Sequence, residues 1–93
     1  MPDLPVSYDD LVSEGRKVDQ RDPTPLHEQL AAILRAEIRA GTYVETGMLP
    51  SESYLQQEHG VSRGTVRRAI ETLTAEKLVF TIPARGTFVA ERK

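Results

Sequence analysis

Ninety-three residues are enough for one small domain with a thin core, and too few for a second. The absence of cysteine excludes disulfides and any thiolate zinc site. The net charge of −2 hides a gradient: residues 1–22 and 23–61 each balance at −3, whereas residues 62–93 carry seven bases against three acids.

The opening "MPDLPVSYDD" has neither a basic region nor an apolar run, so it is not a secretory signal. No stretch approaches the ~20 apolar residues of a membrane helix, and a soluble cytoplasmic protein is expected. Residues 1–22, with two prolines and six acids, read as a flexible acidic leader preceding a domain over 23–93.

The first helix is expected to begin with Thr24 as cap and Pro25 at the first helical position, and to end at Gly41. Leu26, Leu30, Ile33, Leu34 and Ile38 form its apolar stripe, with Arg35 and Arg39 on the polar side. "GTYVETGMLP" reads as a loop with a short extended piece at Met48 and Leu49.

The second helix is brief. Ser51 caps it, Glu52 sits at the positive end of its dipole, Leu55 points inward and Gly60 stops it in the left-handed conformation. His59 is expected to favour the negative end of that helix. Val61 packs in the turn and Ser62 caps a third helix over 62–76. Two helices joined through a glycine in so tight a turn form a helix-turn-helix pattern.

On the third helix Val66, Ala69, Ile70 and Leu73 share one face at 100° per residue. Arg63, Gly64, Arg67 and Arg68 lie on or beside the opposite face, concentrated in the first two turns. A helix with that basic beginning suits a DNA major groove, roughly 12 Å wide, whose base edges are reached by the N-terminal residues. Gly64 lets the backbone approach closely, Ser62 and Thr65 offer hydroxyls, and the helix N-terminus offers amides to a phosphate. The period then changes: "LVFTI" and "TFVA" read as strands around a four-residue turn "PARG", a hairpin over 82–88 with Arg85 near its tip.

"LPSE", "GVSRGTVRRAI" and "ARGTFV", in that order over roughly residues 24–90, resemble the DNA-binding domain of the GntR family of bacterial transcription regulators. "RGTFVA" is closest to its HutC-like branch. The resemblance implies an α+β fold: a winged helix-turn-helix of three helices with a small antiparallel β-hairpin wing. It implies DNA contact by Ser51, by Ser62, Arg63, Gly64 and Thr65, by Arg67, and by Arg85 and Gly86 at the wing. Glu52, within the same "LPSE", belongs to this candidate set, and Arg68 joins it from the helical angles. Ser53 stands where many members have arginine, and Lys77 where most have glycine.

Family members carry a C-terminal domain that binds a small effector and forms the dimer. The resemblance therefore implies that this chain is part of a longer regulator. The expected function is sequence-specific binding of double-stranded DNA by a repressor, as a homodimer on an inverted-repeat operator, the 93 residues alone being monomeric. The alternative is a winged helix used for protein interaction through its acidic face.

No other chemistry stands out. His27 and His59 lack partners at metal-ligand spacing, so no metal is expected, and His27 reads as a surface or boundary residue. No lysine follows Gly60 or Gly64 at phosphate-loop spacing, and no serine has a base beside it. Neither a cofactor nor an enzyme activity is expected.

Overall fold

The computed structural model describes residues 17–90. Among these residues three helices, α1 (Leu26–Arg39), α2 (Glu52–His59) and α3 (Arg63–Ala75), are followed by strands β1 (Val79–Ile82) and β2 (Gly86–Val89). The third helix thus matches the range 62–76 to within its caps. The leader read at 1–22 lies outside the described residues over 1–16.

The α1 stripe is buried as its spacing requires: Leu30, Ile33, Leu34 and Ile38 are all in the interior, with Ala31 beside them. Leu55 of α2, Val61 in the turn, and Val66, Ala69, Ile70 and Leu73 of α3 complete the core with Leu49 and Val79. Truncating a fully buried leucine in so small a core, such as Leu73, costs about 2–5 kcal/mol.

The start of α1 differs from the expected cap. The N-cap is Pro25, in an extended conformation and with no side-chain cap. Proline disfavours helical backbone in the residue before it, so Thr24 stays outside the helix. The Pro25 carbonyl accepts from the amides of Glu28 and Gln29 at 3.0 and 3.1 Å. Gln29 reaches back to organise the entry, its side-chain amide donating to Thr24 O at 2.8 Å.

The C-terminus of α1 closes as a Schellman motif around Gly41. Thr42 N–H donates to Glu37 O at 3.0 Å and Gly41 N–H to Ile38 O at 3.1 Å, with Gly41 at φ +84°. The same motif closes α3, but Lys77 holds the left-handed position, at φ +67°. Leu78 N–H bonds Leu73 O at 3.0 Å and Lys77 N–H bonds Thr74 O at 2.9 Å. A bidentate ion pair from Arg35 to Glu76, at 2.8 and 2.7 Å, ties the middle of α1 to that terminus.

β1 and β2 pair antiparallel, Val79 with Val89 through Ile82 with Gly86. The connecting loop is therefore Pro83–Ala84–Arg85, three residues and not four. Arg85 N–H donates to Ile82 O at 2.9 Å, closing a turn with Pro83 at its second position and Ala84 at φ +68°. That is type II geometry, in which glycine is the usual third residue. Gly86 is a strand residue at the base of this loop.

The extended piece expected at Met48 and Leu49 adds to the sheet. Met48 bridges Phe88, with Leu49 N–H donating to Thr87 O at 2.9 Å and Val89 N–H to Gly47 O at 2.8 Å. β2 is thereby the central strand. Phe80 and Phe88 stack across the hairpin with ring centroids 5.7 Å apart.

Candidate nucleic-acid interface

Two capped helix N-termini and the wing define the site. Ser51 Oγ accepts from Tyr54 N–H at 3.1 Å, and Ser62 Oγ accepts from Thr65 N–H at 3.1 Å. Ser62 also donates to Thr65 Oγ1 at 3.0 Å, so both hydroxyls of that pair are oriented before any ligand arrives. Capping satisfies one of the amides that a helix start leaves without an intrahelical acceptor; the rest remain available to an anion.

The charge at the start of α3 runs against helix stability. Its first turn contains Arg63 and no acid, at the end where the helix dipole favours negative charge. Glu52, in the first turn of α2, offsets this with an ion pair to Arg63 at 3.4 Å, the two side chains 41% and 69% exposed. Exposed pairs of this sort contribute little to stability, about 0–1 kcal/mol. Its consequence is orientation: Arg63 is held beside the α2 N-terminus.

Arg67, Arg68 and Arg85 are exposed and make no ion pair among the described residues. Gly64 is exposed as well, and a methyl group added there would meet only Ser62 Oγ, at 3.9 Å. The protein's own packing therefore gives no reason for glycine at 64. Gly86 is different. Its φ is +130°, and an added Cβ would lie 2.8 Å from Met48 Cε. Gly86 is required by the wing's backbone and by its packing on Met48.

Half of the sequence-predicted residues gather around two adjoining grooves. One, of about 440 Å³, runs between the α2 N-terminus and the wing and is lined by Ser51, Glu52, Arg85 and Gly86. The other, of about 280 Å³, lies between α3 and the sheet and includes Glu52 and Arg67. Ser62, Arg63, Gly64, Thr65 and Arg68 line neither groove. They form the exposed beginning of α3 alongside, with Thr65 only half-buried.

Several lining residues escaped the sequence reading. Ala84 lines the first groove, Glu71 the second, and Thr81 and Thr87 both, while Ser53, noted in the sequence only for replacing an arginine, lines the first. Thr81 and Thr87 are directly opposite in register, their hydroxyls 3.3 Å apart. Period-two alternation in "VFTI" and "GTFV" already places both threonines on the face shared with Val79 and Val89. That signal was present in the sequence.

His59 also departs from expectation. It is only 9% exposed, and its Nδ1 accepts from Val18 N–H at 3.3 Å. It does sit in the last turn of α2, but burial pushes its pKa down and so favours the neutral ring over a cation there. Among the described residues no group of three His, Asp or Glu side chains is placed to hold a metal. No helix among them is long and apolar enough to cross a membrane.

Three comparisons bear on this geometry. The domain of the gntR family of bacterial regulatory proteins matches residues 26–89. The histidine utilization repressor of Pseudomonas putida is 39% identical over the whole chain, which covers 35% of that protein. The repressor NagR of Bacillus subtilis is 34% identical over 82% of the chain and 31% of its own length. The chain thus spans about a third of the length of these relatives. The DNA-binding domain of AraR, solved in complex with operator ORX1, superimposes with a TM-score of 0.61 at 28% identity, covering 81% of this chain and 95% of that one. With its helices, turn and wing in this order, the chain belongs to the gntR family of bacterial regulatory proteins, and its fold is the winged helix of that family.

Proposed function

We propose that this domain binds double-stranded DNA sequence-specifically, as the reading head of a bacterial transcriptional repressor. One observation carries the reading. Arg67, Arg68 and Arg85 stand exposed without ion-pair partners among the described residues, on the first turns of α3 and at the wing tip, beside two capped helix N-termini. The AraR domain, whose fold this chain shares, was solved on its operator, and NagR and the histidine utilization protein are named repressors.

In this reading α3 enters the major groove. Arg63, steered by Glu52, and Arg67 and Arg68 present guanidinium groups to guanine edges, where a bidentate pair is worth about 1–3 kcal/mol. Gly64 admits a close backbone approach. The amides at the start of α2 beside Ser51, and at the start of α3 beside Ser62 and Thr65, hold phosphates. Arg85 reaches the adjacent minor groove from the tip that Gly86 and Met48 brace. The intact regulator is a cytoplasmic homodimer on an inverted repeat, with half-sites whole helical turns apart. Its effector acts through a further domain.

Fluorescence anisotropy with an operator duplex tests the proposal. Arg67→Ala and Arg85→Ala are each expected to weaken binding, the former by about 5- to 150-fold. Neutralising four to six phosphates gives a slope of log K against log salt of about −4 to −5. Unchanged affinity in both variants with a flat salt dependence would sink the proposal and favour a protein partner on the acidic face.

A further inference from the structure

The segment 17–22 is fastened to the helix-turn-helix at its turn. Val18 packs against the core and donates its N–H to His59 Nδ1 at 3.3 Å. Gln20 Nε2 donates to the carbonyl of Gly60, the turn residue itself, at 3.0 Å. Asp19 N–H donates to Gln29 Oε1 at 2.8 Å, and Gln29 Nε2 returns to Asp19 O at 3.2 Å, so the segment also grips α1. Lys17 pairs with Glu58 at 3.6 Å. Four residues, Lys17 to Gln20, thus bridge the start of α1, the end of α2 and the turn that aims α3.

One of these fastenings depends on protonation. A neutral imidazole has one nitrogen that accepts and one that donates; the imidazolium has two donors and no acceptor. Protonated at Nδ1, His59 turns an N–H toward the Val18 N–H, in a site nine-tenths buried. The other contacts of the segment involve amides, carbonyls and an exposed ion pair.

We infer that residues 17–22 form an acid-released strap whose catch is the hydrogen bond from Val18 N–H to His59 Nδ1. Above the pKa of His59 the catch is closed and the turn is braced. Below it the catch opens, Val18 loses its acceptor, and the strap is loosened at the C-terminal end of α2, held there by Gln20 and Lys17.

The groups facing His59 fix the direction. Burial is the largest influence and favours the neutral ring, lowering the pKa from its ordinary 6.5. Glu58, its neighbour on α2, opposes this, while Lys17 on the strap reinforces it. From the other side, Glu37 of α1, Tyr43 of the following loop and Tyr54 of α2 line the same small cleft. Glu37 has its own pKa raised by burial, and its carboxylate accepts from the Tyr43 hydroxyl. A folded pKa below the unfolded one means that the contribution of His59 is complete above about 6.5 and is lost as pH falls through the folded value.

The test is amide hydrogen exchange of the 93-residue chain by NMR, from about pH 7.5 to about pH 5, corrected for intrinsic exchange. Protection at Val18 is expected to fall about five- to tenfold, the equivalent of one net hydrogen bond. His59→Asn, whose side-chain oxygen can occupy the acceptor position without titrating, is expected to abolish that dependence. Protection that is constant with pH, or falls equally in His59→Asn, overturns the inference. Should His59→Asn not fold, the wild type decides: the His59 ring and the Val18 amide must titrate with one midpoint, and separate midpoints overturn the strap. None of these readouts requires DNA, so the outcome is independent of the proposed function.

Discussion

Gly64 and Gly86 each follow an arginine, and their surroundings separate them. At Gly64 an added methyl meets nothing closer than 3.9 Å in a helical backbone, so Gly64→Ala should stabilise the fold by about 0.5–1 kcal/mol. If α3 approaches DNA as proposed, the same variant loses duplex affinity, and thermal denaturation run beside anisotropy shows both effects with opposite sign. At Gly86 the φ of +130° strains any side chain and Met48 stands in the way. Gly86→Ala is expected to destabilise the domain by about 1–3 kcal/mol, read as a lowered melting temperature without DNA. Lys77 is the mirror case, an ordinary side chain in a left-handed position that its backbone already satisfies. Lys77→Gly should gain about 0.5–1 kcal/mol, the relief of left-handed strain exceeding the entropy that glycine adds to the unfolded chain.

The elements were legible where local rules decide them. Ser51, Gly60 and Ser62 specify two caps and a stop through their own chemistry, and the faces of α3 follow from the spacing of Val66, Ala69, Ile70 and Leu73. Legibility failed where other residues, near or distant, intervene. Thr24 was displaced as cap by Pro25 and by Gln29, whose side chain organises the entry instead. The wing's loop is one residue shorter than "PARG" suggests because Gly86 pairs with Ile82 beside Met48, a residue far earlier in the chain. His59 could not be placed without Val18, 41 residues away, nor Glu76 without Arg35 at the same separation. This last pair yields a prediction at the scale of packed helices. The hydrogen bond from Arg35 holds the Glu76 carboxyl below its ordinary 4.5, so the bridge contributes above that pH and is lost as pH falls through the depressed value. Glu76 is largely exposed, which keeps the effect small. Urea unfolding from about pH 5 to about pH 3 should show a shallower acid loss in Glu76→Gln than in the wild type.

At the scale of the molecule, the distribution of charge matters more than its sum. An acidic half and a basic C-terminal third meet in one domain, and among the described residues Arg67 and Arg68 of α3 and Arg85 at the wing tip are exposed and make no ion pair. Polyanion binding should therefore be directional. Arginine side chains that no intramolecular carboxylate claims retain their full charge for phosphates and guanine edges, whereas Arg35 is consumed by Glu76. The most direct measurement is an amide-resolved NMR titration of the chain with an operator duplex at low salt. Shifts concentrated at Ser51 and Glu52, across 62–68 and across 84–87, fading as salt rises, are the expected result. Shifts confined to the acidic faces of α1 and α2, or no shifts at all, would contradict DNA recognition by α3 and the wing.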